Sequence, residues 1–252
     1  MSDPRIVVWF SAGAASATAA KLAIAEHGDR VVVAYIDPGS EHPDNARFVE
    51  ECEEWFGHPI TRLRSDRYAD TWDVFEKRRF LVGPQGALCT TELKKMVRYS
   101  FERPDDIQVF GYTIDEVHRA DRFREQNPGV DLWCPLIDRG LTKADCLALV
   151  DRSGIELPAM YRLGYANNNC IGCVKGGMGY WNKIRVDFPE TFDRMARLER
   201  EIGHSLLHDK NGPIWLDELD PNRGRFAKDQ PIECSLVCIS AEEAFDTTLE
   251  NP

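Results

Sequence analysis

Long apolar runs are missing from this chain. The first, Ile6 to Phe10, is short and follows a basic residue and a proline, and no run approaches the roughly 20 apolar residues that cross a bilayer. A membrane-spanning helix is thereby excluded, no secretory leader is expected, and the reading is a soluble cytoplasmic protein. Positive charge is scarce too. Against 42 Asp and Glu stand 31 Lys and Arg, a net charge of −11, which argues against broad wrapping of nucleic acid but leaves room for a local basic groove. There is no internal repeat, low-complexity segment or flexible linker. No Ser-His-Asp order and no H-E-x-x-H appears, which removes two common hydrolytic arrangements. The first small-residue loop has no lysine, so it is not a Walker loop, G-x-x-x-x-G-K-[ST].

What is present is an alternation. At 252 residues the chain is long enough to bury a full core, as one large domain with an elaborated C-terminal part. Strands are expected at 5–10, 31–36, 60–63 and 107–110, with helices at 16–27, 43–56, 90–101 and 114–124. Short apolar strands separated by amphipathic helices predict an α/β fold: a Rossmann-like parallel sheet with helices on both faces. Ligands of such sheets sit beyond the carboxyl ends of the strands. The loop after the first strand, the turn Asp37-Pro38-Gly39-Ser40-Glu41-His42 after the second, and Gly111 after the fourth all fall on that edge. Past residue 140, helices at 142–152 and 179–203 flank a polar, glycine-rich stretch and 208–235 looks irregular. The expected division is an α/β domain at 1–138, carrying the site at that strand edge, and a mainly helical, cysteine-containing C-terminal subdomain at 139–252.

The first loop, Ser11-Ala12-Gly13-Ala14-Ala15-Ser16, fits S-x-G-x-x-S. Gly13 permits φ > 0 and a close backbone approach, Ser11 and Ser16 offer hydroxyls, and the next amides open a helix, which together suit an anion. The same residues also suit a plain small-residue turn. Asp37, Glu41, His42 and Asp44 read either as helix-start acids or as ligand contacts at the sheet edge, and Lys94, Lys95 and Arg98 either as phosphate ligands or as a solvated face. Arg119, Arg122 and Arg124 form a second basic strip, and Asn167-Asn168-Asn169 is expected to shape its loop by side-chain capping.

Eight cysteines in a reducing compartment point to metal or thiol chemistry more than to disulfides. Cys170-Ile171-Gly172-Cys173 can grip one metal or two corners of a cluster. With Cys234 and Cys238 it makes four ligands, enough for zinc or a [4Fe-4S] centre. Cys52, Cys134 and Cys146 read as small buried residues.

In order along the chain, S-x-G-x-x-S, the segment Leu88-Cys89-Thr90-Thr91-Glu92-Leu93-Lys94-Lys95, Gly111 with Glu116 and Arg119, Pro135-Leu136-Ile137, Pro158-x-x-Tyr161-x-x-Gly164 and Cys170-x-x-Cys173 resemble the phosphoadenosine phosphosulfate (PAPS) reductase-like family of the adenine-nucleotide α-hydrolase superfamily. The resemblance covers roughly residues 5 to 175. It implies ATP or a related adenine nucleotide with Mg²⁺, held by Ser11, Gly13, Ala14, Ala15, Ser16, Asp37, Gly39, Glu41 and Gly111. It also implies an iron–sulfur site, zinc being the alternative, and a catalytic set of Cys89, Lys94 and Arg119. Adenylation or sulfur transfer to a nucleic-acid or protein acceptor is the implied activity, in a homo-oligomer or with a partner. Two departures matter. Ala15 stands where the superfamily carries an acid, which favours a non-catalytic nucleotide sensor as the alternative from another class. The C-terminal E-C-G-L-H of true PAPS reductases is absent, which disfavours sulfonucleotide reduction. Cys89 is either a free thiol near the nucleotide, the preferred reading, or a third ligand to a cluster with one open iron.

Overall fold

In the computed structural model, residues 3–83 and 86–226 are described. Two strands at the centre explain most of the fold. Ile6–Phe10 (β1) is buried along its whole length and Val31–Ile36 (β2) along most of it, as strands with both faces covered must be. Ile60–Leu63 (β3) pairs with β2 in parallel. Between them run Ala14–His27 (α1) and Asn45–Phe56 (α2). The chain then forms Thr71–Arg78 (α3), which is capped by the Asp70 carboxylate accepting from the Asp73 amide at 2.8 Å, and a short hairpin of Val82–Gly83 (β4) and Gly86–Ala87 (β5). A π-helical turn, Thr90–Lys95, leads into Met96–Phe101 (α4).

Ile107–Val109 (β6) returns to the far side of β1. Val117–Gln126 (α5) follows, then Asp131–Trp133 (β7), and the five-stranded sheet has the order β3-β2-β1-β6-β7, parallel throughout. The remaining elements are Pro135–Asp138 (α6), Lys143–Arg152 (α7), Ala159–Arg162 (α8), Met178–Asp187 (α9), Pro189–Ile202 (α10) and the hairpin Leu207–Asp209 (β8) with Gly212–Ile214 (β9). The expected α/β class and parallel sheet are thus found. Among the described residues no helix is long and apolar enough to cross a membrane.

Strand alternation sorts the side chains. Ile6, Val8, Phe10, Val33 and Tyr35 enter a large core with α1, α2 and α7, whereas Val7, Trp9 and Ala34 point the other way into a small cluster with Ile36, Phe101 and Phe110. Gln108 is buried on that second face and accepts from Trp9 Nε1 at 2.5 Å. A separate core joins Val74, Phe75, Leu81 and Leu93 to Trp181, Phe192, Met195 and Leu216. The expected boundary at 138 therefore falls inside the first core, to which α7 belongs, and the segment before β6 packs with the C-terminal helices. The helix expected over 179–203 is two helices, because Phe188 leaves helical geometry and Pro189 starts α10, proline being well tolerated at that first position.

Asp44 fastens the first core to the segment carrying α8. Its carboxylate accepts from Arg47 Nε and from the Ala159 amide, each at 2.8 Å, and the Arg47 guanidinium holds its pKa down to about 2. A carboxylate whose pKa is depressed on folding stabilises fully above its unfolded value and loses that contribution as pH falls through the folded one. After allowance for solvent screening this is about 1 kcal/mol. Asp44→Asn should lower the urea midpoint near pH 6, and the gap from the wild type should close as pH is taken from about 4 down to about 2.

Candidate functional site

Strand order reverses direction between β1 and β6, the position at which open α/β sheets bind ligands. The two chain segments leaving those strands touch. A Cβ on Gly111 would lie 2.8 Å from the backbone N and Cα of Ser16, so only glycine lets the end of β6 close on the first turn of α1. The left-handed residue of the loop is Ala12 (φ 51°), whereas Gly13 is extended (φ −123°, ψ 156°). The expectation of φ > 0 at Gly13 is corrected accordingly: its absent side chain matters for proximity, since a Cβ would sit 3.2 Å from Tyr161 Oη. A left-handed alanine costs about 1–2 kcal/mol, and the loop is braced against it. The Ala12 carbonyl accepts from Asn168 Nδ2 at 2.5 Å, and the Tyr161 hydroxyl takes bonds from the Ala14 and Asn168 amides. Burial pushes that hydroxyl up to about 12, so it remains protonated.

The two serines differ. Ser16 is buried, donates to the Gly13 carbonyl at 2.9 Å and accepts from the Ser11 amide at 3.0 Å, so its hydroxyl serves the loop itself. Ser11 is exposed and its hydroxyl lies 3.1 Å from that of Ser16.

Above the loop opens a cleft of about 840 Å³, within the range of small-molecule sites. Ser11, Gly13, Ala15, Ser16, Gly111, Lys94 and Arg119 line it, as do Lys95, Arg98, Lys143 and Asn167 to Asn169. Of the second basic strip only Arg119 reaches it. Ala14, Asp37, Gly39, Glu41 and Cys89 do not line it, and the turn after β2 is committed to structure. Asp37 pairs with Arg64 at 3.3 Å and accepts from the Gly39 amide at 2.7 Å. Gly39 has φ 70° and a Cβ there would lie 2.2 Å from the Ala69 carbonyl oxygen. Glu41 accepts from Tyr35 Oη at 2.9 Å and Asn45 Nδ2 at 2.8 Å, and lies 3.6 Å from Lys94 Nζ. Burial raises the Glu41 pKa while Lys94 and the two donors oppose it. Burial opposes the Lys94 charge, but Glu41 and the nearby thiols prevail and raise its pKa.

Those thiols are Cys89, Cys170 and Cys173, which feel one another's charge and that of Lys94. The loop holding the last two is pinned by the Ile171 amide donating to the Ser40 carbonyl at 3.0 Å and the Cys173 amide donating to Tyr180 Oη at 2.8 Å. Gly172 is required there twice over: φ is 74°, and a Cβ would meet Thr191 Cγ2 at 2.6 Å. Burial pushes the Cys170 thiol up to about 12, a protonated state that only a metal or a nearby cation would reverse. Among the described residues no group of three or more His, Cys, Asp or Glu is arranged to hold a metal ion. Cys234 and Cys238 lie outside the described residues. Cys52, Cys134 and Cys146 are buried.

No family model matches the chain. It is similar to an uncharacterized protein of Methanocaldococcus jannaschii, with 24% identity over 219 residues that cover 80% of this chain and 43% of the relative. The chain thus spans less than half the length of the curated relative that it matches.

Two contributors to the site, Lys143 and Asn45, were not singled out in the sequence, and a third, Tyr161, entered only as a motif position. Lys143 is the first residue of α7 and lines the cleft with its Nζ 5.5 Å from the Tyr161 ring and 2.6 Å from Asn167 Oδ1. Tyr161 and Asn45 brace the loop, and neither carries a local signal for that role, because their partners are distant in sequence. Asn168 was expected only to cap its own loop. Instead its Nδ2 also donates to Asn45 Oδ1 at 2.8 Å. The amide orientations follow from Glu41: Asn45 gives its NH₂ to that carboxylate, so its oxygen must receive Asn168. Asn168→Ala should leave the Ala12 carbonyl and Asn45 Oδ1 without their donor, lowering stability by about 1–3 kcal/mol in urea unfolding.

Proposed function

We propose that this chain binds an adenine nucleotide with its phosphates on the loop Ser11–Ser16, and that it is a PAPS reductase-like enzyme using ATP for adenylation or sulfur transfer. The observation that carries the reading is the closure of Gly111 on the first turn of α1 at the β1/β6 switch point. It leaves a 14-residue helix opening onto a cleft with no acidic residue in its first turn, where backbone amides favour anions. Lys94 lines that cleft from the β2 side, and Ala34 and Ile36 beside it give an apolar floor for a base. During adenylation the loop amides and Lys94 would stabilise charge developing on the departing pyrophosphate. Ala15 supplies no carboxylate to magnesium. Such ions commonly take one or two carboxylates with phosphate oxygens, and Asp115 on the cleft wall is the carboxylate available.

The thiols support a metal or cluster site built on Cys170 and Cys173, with Cys234 and Cys238 as the further ligands. The second reading, in which Cys89 is the third ligand, has against it that among the described residues no group of three or more His, Cys, Asp or Glu is arranged to hold a metal ion. Such a centre would supply sulfur-binding or electron-transfer chemistry. Alanine at position 15 also supports a nucleotide sensor without turnover.

Gly13→Val should reduce affinity for a non-hydrolysable ATP analogue by at least about tenfold in calorimetry, with unchanged far-UV circular dichroism. Unchanged affinity in the folded variant would remove the loop from the site. Ala15→Asp should increase pyrophosphate release from ATP if the missing acid limits turnover, and an active wild type indifferent to the change would retire the sensor reading. Elemental analysis of protein purified without oxygen separates the thiol assignments. Cys173→Ala and Cys238→Ala should each lose metal while Cys89→Ala keeps it. The opposite pattern for the last two would make Cys89 the ligand.

A further inference from the structure

The cleft extends to both sides of the β1 loop. On the β2 side lie Ala34, Ile36 and Lys94, and on the β6 side Phe110, Tyr112, Arg119 and Phe123. Neighbouring strands are about 4.8 Å apart, so the strands flanking β1 stand about 10 Å from each other. One planar group cannot lie against both walls.

The β6 wall has a distinct chemistry. The Phe110 and Tyr112 rings are stacked, with centroids 5.4 Å apart and 9° between planes, and Phe123 leans on Phe110 at 5.0 Å. The Arg98 guanidinium lies 4.8 Å from the Tyr99 ring centroid and 5.4 Å from that of Phe123. It is ion-paired with Glu102 at 3.2 Å, yet its buried Nε makes no aligned hydrogen bond. The Arg119 guanidinium sits 4.8 Å from the Tyr112 centroid and is held by Glu116. Tyr99 is 48% exposed, a large ring at the mouth of the cleft rather than in a core. Aromatic faces interleaved with arginines are the chemistry that stacks bases and meets phosphates. In a chain of net charge −11, their concentration on one wall is a local exception.

We propose that the β6 wing is a second binding site, for a nucleobase carrying a phosphate, separate from the nucleotide held at the loop. It deepens the proposed function by giving the acceptor a chemical class, and rests on that reading for the loop's occupant. The ligand is a free nucleotide or an unpaired unit of a strand, which share this chemistry.

Calorimetry on the full chain, saturated with a non-hydrolysable ATP analogue, tests it with uridine 5′-monophosphate and with a short unpaired oligouridylate. At least one should bind alongside the analogue: tighter binding of the strand identifies a polynucleotide source, equal affinity a free nucleotide. Tyr112→Ala combined with Phe123→Leu should weaken that binding by about tenfold or more, while affinity for the analogue stays within about twofold. Circular dichroism checks the fold, and Tyr99→Ala replaces the double variant if the latter does not fold. Competition between analogue and monophosphate, absence of any second binding event, or equal loss of both ligands in the variants would each overturn the proposal. If the wild type binds uridine 5′-monophosphate but no ATP analogue, and the variants lose it, the second site stands and the nucleotide reading of the loop falls.

Discussion

An ion pair continued by a chain of hydrogen bonds holds the site in register. It runs from Lys94 across Glu41 to Asn45, on to Asn168, and ends on the carbonyl of Ala12. Each member comes from a different segment: the π turn, the β2 turn, the start of α2, the loop before the thiols and the loop after β1. Buried polar series of this kind strengthen with each group that is paired, and here, among the described residues, Asn168 Oδ1 is the buried atom left without a partner. The series begins at an ionised pair and ends at the one left-handed alanine in the loop, so the backbone strain at Ala12 and the charge on Lys94 belong to the same network.

The unequal faces of the sheet complete the arrangement. α1, α2 and α7 fill one side with a large apolar core. The other carries a smaller cluster around Trp9, so the cleft can reach Trp9, Ala34 and Ile36 on that face as well as the region beyond the strand ends. The π turn suits that position. With slightly more than four residues per turn, it keeps Thr90, Lys94 and Lys95 on the cleft, and α4 continues with Arg98 and Tyr99. Such wide turns are common where a helix borders a functional surface.

How much of this was legible in the sequence depended on range. β1 and β2 stood out because continuous apolar runs mark strands buried on both faces, and their bounds, like those of the half-exposed edge strand β3, nearly match expectation. β7 was not seen, since Asp131-Leu132-Trp133 has only two apolar residues and is a strand by virtue of pairing with β6. The loop, Gly111, Lys94 and Arg119 were found from motif order, and all line the cleft. Asp37, Gly39 and Glu41 were found on the correct sheet edge, but an edge position does not reveal which way a side chain turns. Glu41 turns inward because Tyr35 and Asn45 are there to receive it. Tyr161 was visible only as a motif position, and its role was not, because it packs on a loop more than a hundred positions upstream.

That separation has a kinetic side. The bond from Asn168 to Ala12 links residues 156 positions apart, and contacts at long sequence separation form late because the loop they close must first be ordered. During synthesis β1, β2 and β3 can be made and paired while the segment that braces Ala12 has yet to emerge. The loop after β1 is thus made before the segment that braces it and is among the last parts to be fixed. Until then its amides and its left-handed alanine are held only by their own helix, and an early anion would meet a loop not yet shaped to hold it.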